Sequence, residues 1–309
     1  MAVDNVLGVA QRRSVQGSPP SKVARSLQTA SALVRAKPLG ALGGALIALL
    51  VLTAIFAPTL APHDPIQIKS ADRLQPPGLT YPLGTDDFGR DILSRIIHGA
   101  RISMLIGLGA VGISTSLATI IGVISGFYGG KVDTVLQRCI DTLMAFPGLV
   151  VLLTIMAMLG QGLGNVILAL GIGGTAGNAR IIRSAVLAIK GNQYIEAAQA
   201  VGCRDWRIIL WYILPNIAAP IMVVATLGLG VAILAESSLS FLGFGVPPPT
   251  PSWGGMLSGS GRTYMLKAPW MAIFPGIAIS LAVFGFNMLG DALRDLLDPR
   301  LRGGTQGHV

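Results

Sequence analysis

The residues that could do chemistry are few in this sequence, and their spacing does not form a recognisable site. Cys139 and Cys203 give neither a disulfide framework nor the spacing of zinc ligands. His63, His98 and His308 are too scattered along the chain to predict a metal cluster. We predict no catalytic residue and no metal site. A membrane enzyme with a scattered site stays an alternative that the sequence alone does not exclude.

A phosphate-binding loop is also missing from the sequence. Such a loop needs the pattern G-x-x-x-x-G-K-[ST], whose backbone amides surround the phosphates. The nearest stretch, GFYGGKVD at 126–133, lacks the first glycine at the right spacing and has Val132 where the hydroxyl belongs. The chain is therefore not expected to hydrolyse ATP or to hold a cofactor, and any ATPase must be a separate chain.

Acidic residues are concentrated in the stretch GTDDFGRDILSR at 84–95. Asp86, Asp87 and Asp91 suggest a calcium loop, but the regular alternation of an EF-hand is missing. Asp91 and Arg95 are four residues apart, so we expect these two side chains to pair across one turn of a helix.

Three polar side chains lie within long apolar stretches. Glu236 is the only acid well inside one, where a charge at the middle of a bilayer costs about 2.5–3.5 kcal/mol. At the rise of a helix it lies roughly 30 Å beyond Asn216, so we expect it near the far interface, in contact with water and in a structural role. Lining a path through the membrane is the alternative for Glu236. Asn178 and Asn287 could line such a path or bond a neighbouring helix, and the second is commoner.

The elements that position these residues are transmembrane helices. Only 12% of the 309 residues are charged and 52% are hydrophobic, which is about half the charge of a soluble protein. Six stretches are predicted to span a membrane, the fourth being short and Gly-rich. They are 39–61, 102–128, 142–160, 163–179, 216–243 and 270–290. Pro147 and Pro275 are expected to kink their helices. An all-α polytopic membrane protein is predicted.

The distribution of Lys and Arg predicts the orientation of these spans. Sixteen lie in segments that share one side, 1–38, 129–141, 180–215 and 291–309, and seven lie in the loops 62–101 and 244–268. The positive-inside rule then places both termini in the cytoplasm, with Arg180 as an anchor on that side. The residues 1–38 are expected to be a disordered cytoplasmic tail. We attribute the basic composition to orientation and not to nucleic-acid binding.

One amphipathic segment, YIEAAQAVGCRDWRIILWYILPN at 194–216, separates the fourth and fifth spans. Glu196 suits the first turn of a helix, Gly202 permits a tight reversal, and a second short helix at 205–212 would lead to Pro215 at the start of the next span. The predicted apolar face consists of Tyr194, Ala197, Ala198 and Val201. This helix–turn–helix elbow could rest on lipid headgroups, but its small residues favour close contact with another protein.

The elbow also carries a family resemblance. Glu196-Ala197-Ala198, Gly202 and Leu214-Pro215 resemble the EAA loop of the membrane subunits of bacterial binding-protein-dependent ABC importers, although Tyr212 stands where that family usually has Ile. The stretches at 82–101, 235–254 and 287–303 resemble the second permease of dipeptide, oligopeptide and nickel importers. Together the resemblance covers nearly everything from 39 to 303.

The resemblance implies a type I ABC importer permease fold in the bacterial inner membrane, with six spans and a cytoplasmic coupling helix. The implied division is a tail at 1–38, a first helix and periplasmic loop at 39–101, a transmembrane domain at 102–303 with the EAA loop at 194–215, and a tail at 304–309. The implied partners are a homologous permease in a heterodimer, two cytoplasmic ATPases that bind ATP and Mg²⁺, an external substrate-binding protein and the lipid bilayer. A homodimer stays open, and no nucleic-acid partner is expected.

The resemblance leaves the solute open among dipeptides, oligopeptides, nickel complexes and glutathione. On the outer side, Asp86, Asp87, Arg90, Asp91 and Arg95 are candidates for docking the receptor, and the proline-rich loop at 246–255 is expected to be rigid. A secondary active transporter is the main alternative. It would normally show internal repeats and acids at the midplane of the membrane, and the sequence has no convincing repeat.

Overall fold

The computed structural model describes residues 38–297, and no strand occurs among them. The predicted tail at 1–38, apart from its last residue, and the C-terminal tail at 304–309 lie outside the described residues. The helices are α1 Pro38–Ile55, α2 Ile92–Tyr128, α3 Gly130–Met144, α4 Gly148–Leu159, α5 Leu163–Lys190, α6 Gln193–Ala200, α7 Asp205–Ile208, α8 Ala218–Phe241, α9 Trp253–Leu257 and α10 Trp270–Leu297. Shorter turns lie at Ala57–Leu60, Ser70–Asp72, Ile209–Ile213, Leu214–Asn216 and Ser260–Thr263.

All six predicted spans are helical. Four helices in the described part of the chain, α1, α2, α8 and α10, are long and apolar enough to cross a membrane, and α3 with α4 forms a fifth span if that bent pair counts as one. The predicted fourth span is α5, which is longer than expected at 28 residues and less apolar than the other long helices. Pro275 lies inside α10 without dividing that helix.

The third span differs most from the prediction. A single kinked helix was expected at 142–160, but α3 ends at Met144 and α4 begins at Gly148 after a 91° change of direction. Pro147 is the residue that precedes α4, because its ring suits the start of a helix and is incompatible with the interior of one. The break leaves α4 with only 12 residues.

Helices α2 and α5 run parallel and pack closely through glycines. A Cβ atom on Gly122 would lie 2.8 Å from the carbonyl oxygen of Ala179, and one on Gly126 would lie 2.8 Å from Cβ of Val186. Larger residues would force the two backbones apart. As a 37-residue helix, α2 is roughly 55 Å long and joins the two ends of the molecule.

The Ile92 end of α2 carries a folded layer, which we name the cap layer and define as residues 62–101 and 253–271. Its two parts are joined by long-range hydrogen bonds: Arg73 donates to the Tyr264 hydroxyl at 3.1 Å, and the Trp270 indole donates to the Thr85 carbonyl at 3.2 Å. The Tyr128 end carries the elbow between α5 and α8. The cap layer and the elbow are therefore separated by the length of α2.

Candidate functional site

The elbow consists of α6, a tight reversal and α7, as the sequence predicts. Gly202 has a φ of +78°, a conformation that residues with a Cβ rarely adopt. The amide of Cys203 donates to the carbonyl of Ala198 at 3.0 Å and thereby closes the end of α6. After α7 the chain continues through a π-helical turn at Ile209–Ile213. Pro215 then lies in the short turn before α8.

The face of α6 that packs on the bundle differs from the prediction. Ile195 and Ala198 are buried, in a cluster that includes Ile182 and Val186 of α5. Of the predicted apolar face, only Ala198 is buried, whereas Tyr194 is 40% exposed and Val201 is 78% exposed. The prediction omitted Ile195, and a helix of eight residues is too short for periodicity to define its buried side.

The outer side of the elbow presents aromatic and charged side chains together. Trp206 is 55% exposed and Trp211 is 71% exposed, and the charged side chains of Glu196, Arg204 and Asp205 are exposed beside them. Aromatic residues and arginine are enriched in protein interfaces, where they supply most of the binding energy. Because Trp and Arg are also common where helices meet lipid headgroups, it is the exposed small residues Ala197 and Gly202 that favour a protein partner.

The six residues of the EAA pattern divide between these two sides. Glu196, Ala197, Gly202 and Pro215 are exposed, Ala198 is buried, and Leu214 is partly buried against the cluster that holds α6. Tyr212, the position that departs from the family pattern, is also partly buried and packs against the same cluster. A bulky side chain thus occupies this place in the elbow.

A cavity of about 320 Å³ lies between α2, α4, α5 and α8. Its lining is mostly apolar and combines small residues, such as Gly173 and Gly174 on α5, with larger ones, such as Leu152 on α4. Its polar side chains are Ser114 and Asn178, and the Asn178 amide donates to the Ser114 hydroxyl at 3.1 Å. Asn178 therefore bonds a neighbouring helix, which is the commoner of its two predicted roles, and it also faces this cavity. Its place in a translocation path stays a prediction.

The other two candidate path residues lie outside the lining of this cavity. Asn287 is exposed on α10, and its side-chain oxygen lies 3.2 Å from where a Cβ on Gly230 of α8 would be. Glu236 is fully buried and accepts a hydrogen bond from the Ser240 hydroxyl at 2.7 Å. The expectation that Glu236 reaches water is wrong, because the segment at Gly254 packs directly on α8 at Ser237.

The charged residues of 84–95 are bonded mainly to one another. Asp86 accepts from the Arg90 amide at 2.9 Å and the Arg90 guanidinium at 2.6 Å, and the guanidinium of Arg95 lies 3.7 Å away. Asp91 precedes α2 and accepts from the Ser94 amide at 3.0 Å. The predicted Asp91–Arg95 pair is wrong, because Asp91 caps the helix while Arg95 turns to Asp86 and to the Pro65 carbonyl.

Burial also bears on the docking role expected of these residues. The side chains of Asp86, Asp91 and Arg95 are each at most 8% exposed, Arg90 is 12% exposed, and Asp87 is partly exposed with one carboxylate oxygen buried. Asp86, Asp91 and Arg95 thus hold the cap layer together and present little surface to a partner. A receptor role for the five residues named from the sequence stays a prediction.

A hydrogen bond elsewhere in the cap layer joins the Tyr81 hydroxyl to the Asp72 carboxylate at 2.7 Å. This bond raises the pKa of Tyr81 above its ordinary value, and burial of the phenol adds to the effect. The ring of His63 lies 5.0 Å from that of Tyr81 and contacts Asp91 at 3.4 Å. Among the described residues, no group of three or more His, Cys, Asp or Glu side chains could hold a metal ion.

Sequence reasoning missed an ion pair near the elbow. Arg183 of α5 donates through two nitrogens to Asp133 of α3, and the Ser125 hydroxyl donates to the same carboxylate. Arg180, expected to be a membrane anchor, pairs with Asp141 of α3. No local pattern could have predicted either pair, because Asp133 and Arg183 are 50 residues apart.

Comparisons with known proteins agree with the geometry. Residues 118–303 match the family model described as "Binding-protein-dependent transport system inner membrane component", and residues 28–77 match the "N-terminal TM domain of oligopeptide transport permease C". A dipeptide transport system permease protein from Alkalihalophilus pseudofirmus is 44% identical over 85% of this chain and 86% of its own length.

Two further proteins illustrate the range of relatives. A glutathione transport system permease protein from Pectobacterium atrosepticum is 41% identical over 84% of this chain and 86% of its own length. In fold, the chain resembles the inward-facing methionine ABC transporter MetNI, with a TM-score of 0.52 and 18% identity over 65% of this chain and 97% of that one.

Proposed function

The chain belongs to the family of binding-protein-dependent transport system inner membrane components, and from this premise we propose that it is the permease subunit of an ABC importer that forms half of the path for peptides or a related small solute. It is a multi-pass membrane protein, and its fold is that of a type I ABC importer permease. The curated relatives are named for dipeptide, di/tripeptide and glutathione transport, which supports that class of solute.

The observation that carries the proposal is the elbow. Its inner side is anchored on α5 through Ile195 and Ala198, while Trp206, Trp211 and Glu196 are exposed. An element that is fixed to the bundle on one side and free on the other can transmit a partner's movement to the transmembrane helices. We propose that this partner is a cytoplasmic ATPase subunit that binds ATP and Mg²⁺, and that the elbow and both termini lie on the cytoplasmic side.

The cavity supports the proposal that this chain supplies half of a path. It lies between helices of the described bundle and is lined mainly by apolar residues, with Ser114 and Asn178 as its polar side chains. Such a lining can hydrogen-bond a passing peptide without holding it tightly. We propose that a homologous permease faces this cavity and closes the other half, and that a substrate-binding protein delivers the solute to the cap-layer side. Roles for Glu236 and Asn287 in the path stay proposals.

Reconstitution with a second permease, two ATPases and a substrate-binding protein from the same organism tests the proposal. Gly202→Trp and Glu196→Lys should abolish ATP-driven peptide uptake into proteoliposomes while the chain still inserts in the membrane, because they alter the reversal and the exposed carboxylate of the elbow. Gln193→Lys is the matched control on the same helix, since it adds a positive charge but keeps Glu196. Full uptake by both elbow variants would refute the proposal.

A further inference from the structure

Helix α3 is joined to the rest of the chain at two points that permit a change of direction. Gly129 precedes it and Gly130 is its first residue, with φ values of +67° and +53°, and an added Cβ on Gly130 would meet nothing within 4 Å. At its other end the chain turns by 91° before α4. The glycine junction between α2 and α3 therefore does little to fix where this helix lies, whereas only the three residues 145–147 separate α3 from α4.

Apolar burial also holds α3 weakly. Ile140 is the one fully buried residue in this 15-residue helix, at 4% exposure. Val135 is 62% exposed, and Leu143 and Met144 are 47% and 46% exposed. A helix that buries so little apolar surface against its own chain needs other contacts to keep one position.

Ion pairs to α5 supply those contacts. The Arg183 guanidinium binds the Asp133 carboxylate in a bidentate manner, with Nε at 2.6 Å from one oxygen. The Ser125 hydroxyl bonds that carboxylate and accepts from the Gln137 amide at 2.9 Å. These groups join α2, α3 and α5 in one network. Bidentate Arg–carboxylate pairs fix geometry as well as contributing energy.

The second ion pair between the same helices is a natural comparison. Arg180 and Asp141 are 44% and 43% exposed, whereas Arg183 and Asp133 are 29% and 19% exposed. Exposed pairs contribute little because water and salt screen them. The Asp133–Arg183 pair is the less exposed of the two and also the one with additional hydrogen bonds, so it is the stronger attachment of α3.

We propose that Asp133 and Arg183 are positioning residues that lock α3 to α5, so that movement of the elbow reaches the cavity wall. The elbow follows directly from α5, and Arg183 lies two turns before the end of that helix. Beyond α3, Gly148 and Leu152 of α4 line the cavity. The Asp133–Arg183 pair, which we name the lock, thus connects the elbow to α4 through α5 and α3, a route separate from α8. The part that concerns transport rests on the proposed function.

A distance measurement tests the lock independently of transport. Cys139 is an exposed native thiol on α3, and Leu187 is 44% exposed on α5. Spin labels at Cys139 and Leu187→Cys, with Cys203→Ser and the partner subunits present in nanodiscs, report the separation of the two helices. We expect a single narrow distance distribution, which Asp133→Asn and Arg183→Gln broaden and the exchange Asp133→Arg with Arg183→Asp narrows again.

Asp141→Asn is the matched control, because it removes the exposed pair on the same helix, and it should leave the distribution narrow. An unchanged distribution in Asp133→Asn and Arg183→Gln would overturn the lock. Broadening that the exchange variant does not reverse would also overturn it, since the effect would then not come from the ion pair.

Transport supplies the second readout. In proteoliposomes, Asp133→Asn and Arg183→Gln should lower the uptake per ATP hydrolysed by about fivefold or more, with the ATPase subunits still bound, and the exchange variant should restore it. Unchanged uptake per ATP despite broadened distances would overturn the positioning role. If the unaltered complex shows no ATP-driven uptake, the proposed function fails, while the distance measurement still decides whether the lock exists.

Discussion

Charged and tryptophan side chains occur at both ends of α2, but several of them are buried in the cap layer, whereas most are exposed at the elbow. In the cap layer, Asp86, Asp91 and Arg95 are buried and bonded within the chain, and Trp253 is 1% exposed. At the elbow, the charged and tryptophan side chains are mostly exposed, with Trp211 at 71%. Charges that are satisfied internally stabilise the end that holds them, whereas exposed aromatic and charged groups together are available to a partner.

These side chains should therefore contribute to the stability of the chain in the cap layer and to partner binding at the elbow. Substitutions in the cap layer should change the free energy of unfolding, because they leave buried groups without partners. The same substitutions at the elbow should leave that free energy unchanged and instead weaken the proposed contact with an ATPase. Paired variants, one at each end, can therefore test the comparison directly.

The tryptophans should give the largest difference. Trp253 contacts Gly99 and donates to the Ile96 carbonyl at 2.9 Å, so Trp253→Ala should lower the free energy of unfolding by about 3–5 kcal/mol. Trp211→Ala should change it by less than about 0.5 kcal/mol but weaken ATPase binding by about 2 kcal/mol. Thermal unfolding in detergent and co-purification measure the two effects. Equal destabilisation by both variants would contradict the comparison.

The carboxylates should give the next largest difference. Asp86→Ala removes the acceptor for Arg90 and leaves the neighbouring Arg95 buried without its acid, which should cost about 3 kcal/mol. Glu196→Ala, at the exposed counterpart, should leave the melting temperature within error. Proteolysis of the 62–91 segment is a second measurement for Asp86→Ala, and a segment as resistant as in the unaltered chain would speak against the prediction.

Tyrosine variants at the two ends should show the smallest difference in the free energy of unfolding, and this difference should depend on pH. Tyr81→Phe removes the hydrogen bond to Asp72 and should cost about 1–2 kcal/mol at pH 7, whereas Tyr194→Phe, at 40% exposure, should cost nothing measurable. Because the pKa of Tyr81 is raised in the folded chain, its contribution is complete below the unfolded value of about 10 and is lost as the pH rises through the folded value.

Melting temperatures between pH 7 and pH 11 check this dependence. The melting temperature of the unaltered chain should exceed that of Tyr81→Phe by a constant amount up to about pH 10, and by a smaller amount above it. An advantage that declines between pH 7 and pH 9 would assign the effect to another group.

Features set by neighbouring residues could be predicted from the sequence. The apolar stretches predicted six helices, and Gly202 predicted the reversal of the elbow, since both depend on residues close in the chain. For Pro147 the sequence predicts a kink, whereas the structure has a break with a 91° change of direction. The sequence does not say whether the chain continues in the same direction at a proline.

Contacts between distant residues could not be predicted. The Asp133–Arg183 pair and the Arg73–Tyr264 hydrogen bond join helices or loops that meet only in the folded bundle. The spacing of Asp91 and Arg95 predicts a pair, but Asp91 bonds the Ser94 amide and Arg95 bonds the Pro65 carbonyl instead. Likewise, the burial of Glu236 depends on α9, whose Gly254 packs against Ser237 of α8.

The glycine packing between α2 and α5 has a consequence for how the chain is made. Helix α5 is less apolar than the other long helices and carries Arg180, Arg183 and Lys190 in its last turns, so it partitions poorly into lipid by itself. Its close packing against Gly122 and Gly126 provides a contact surface that lipid does not. Because α2 is synthesised first, we expect α5 to enter the bilayer during translation only after α2 has been inserted.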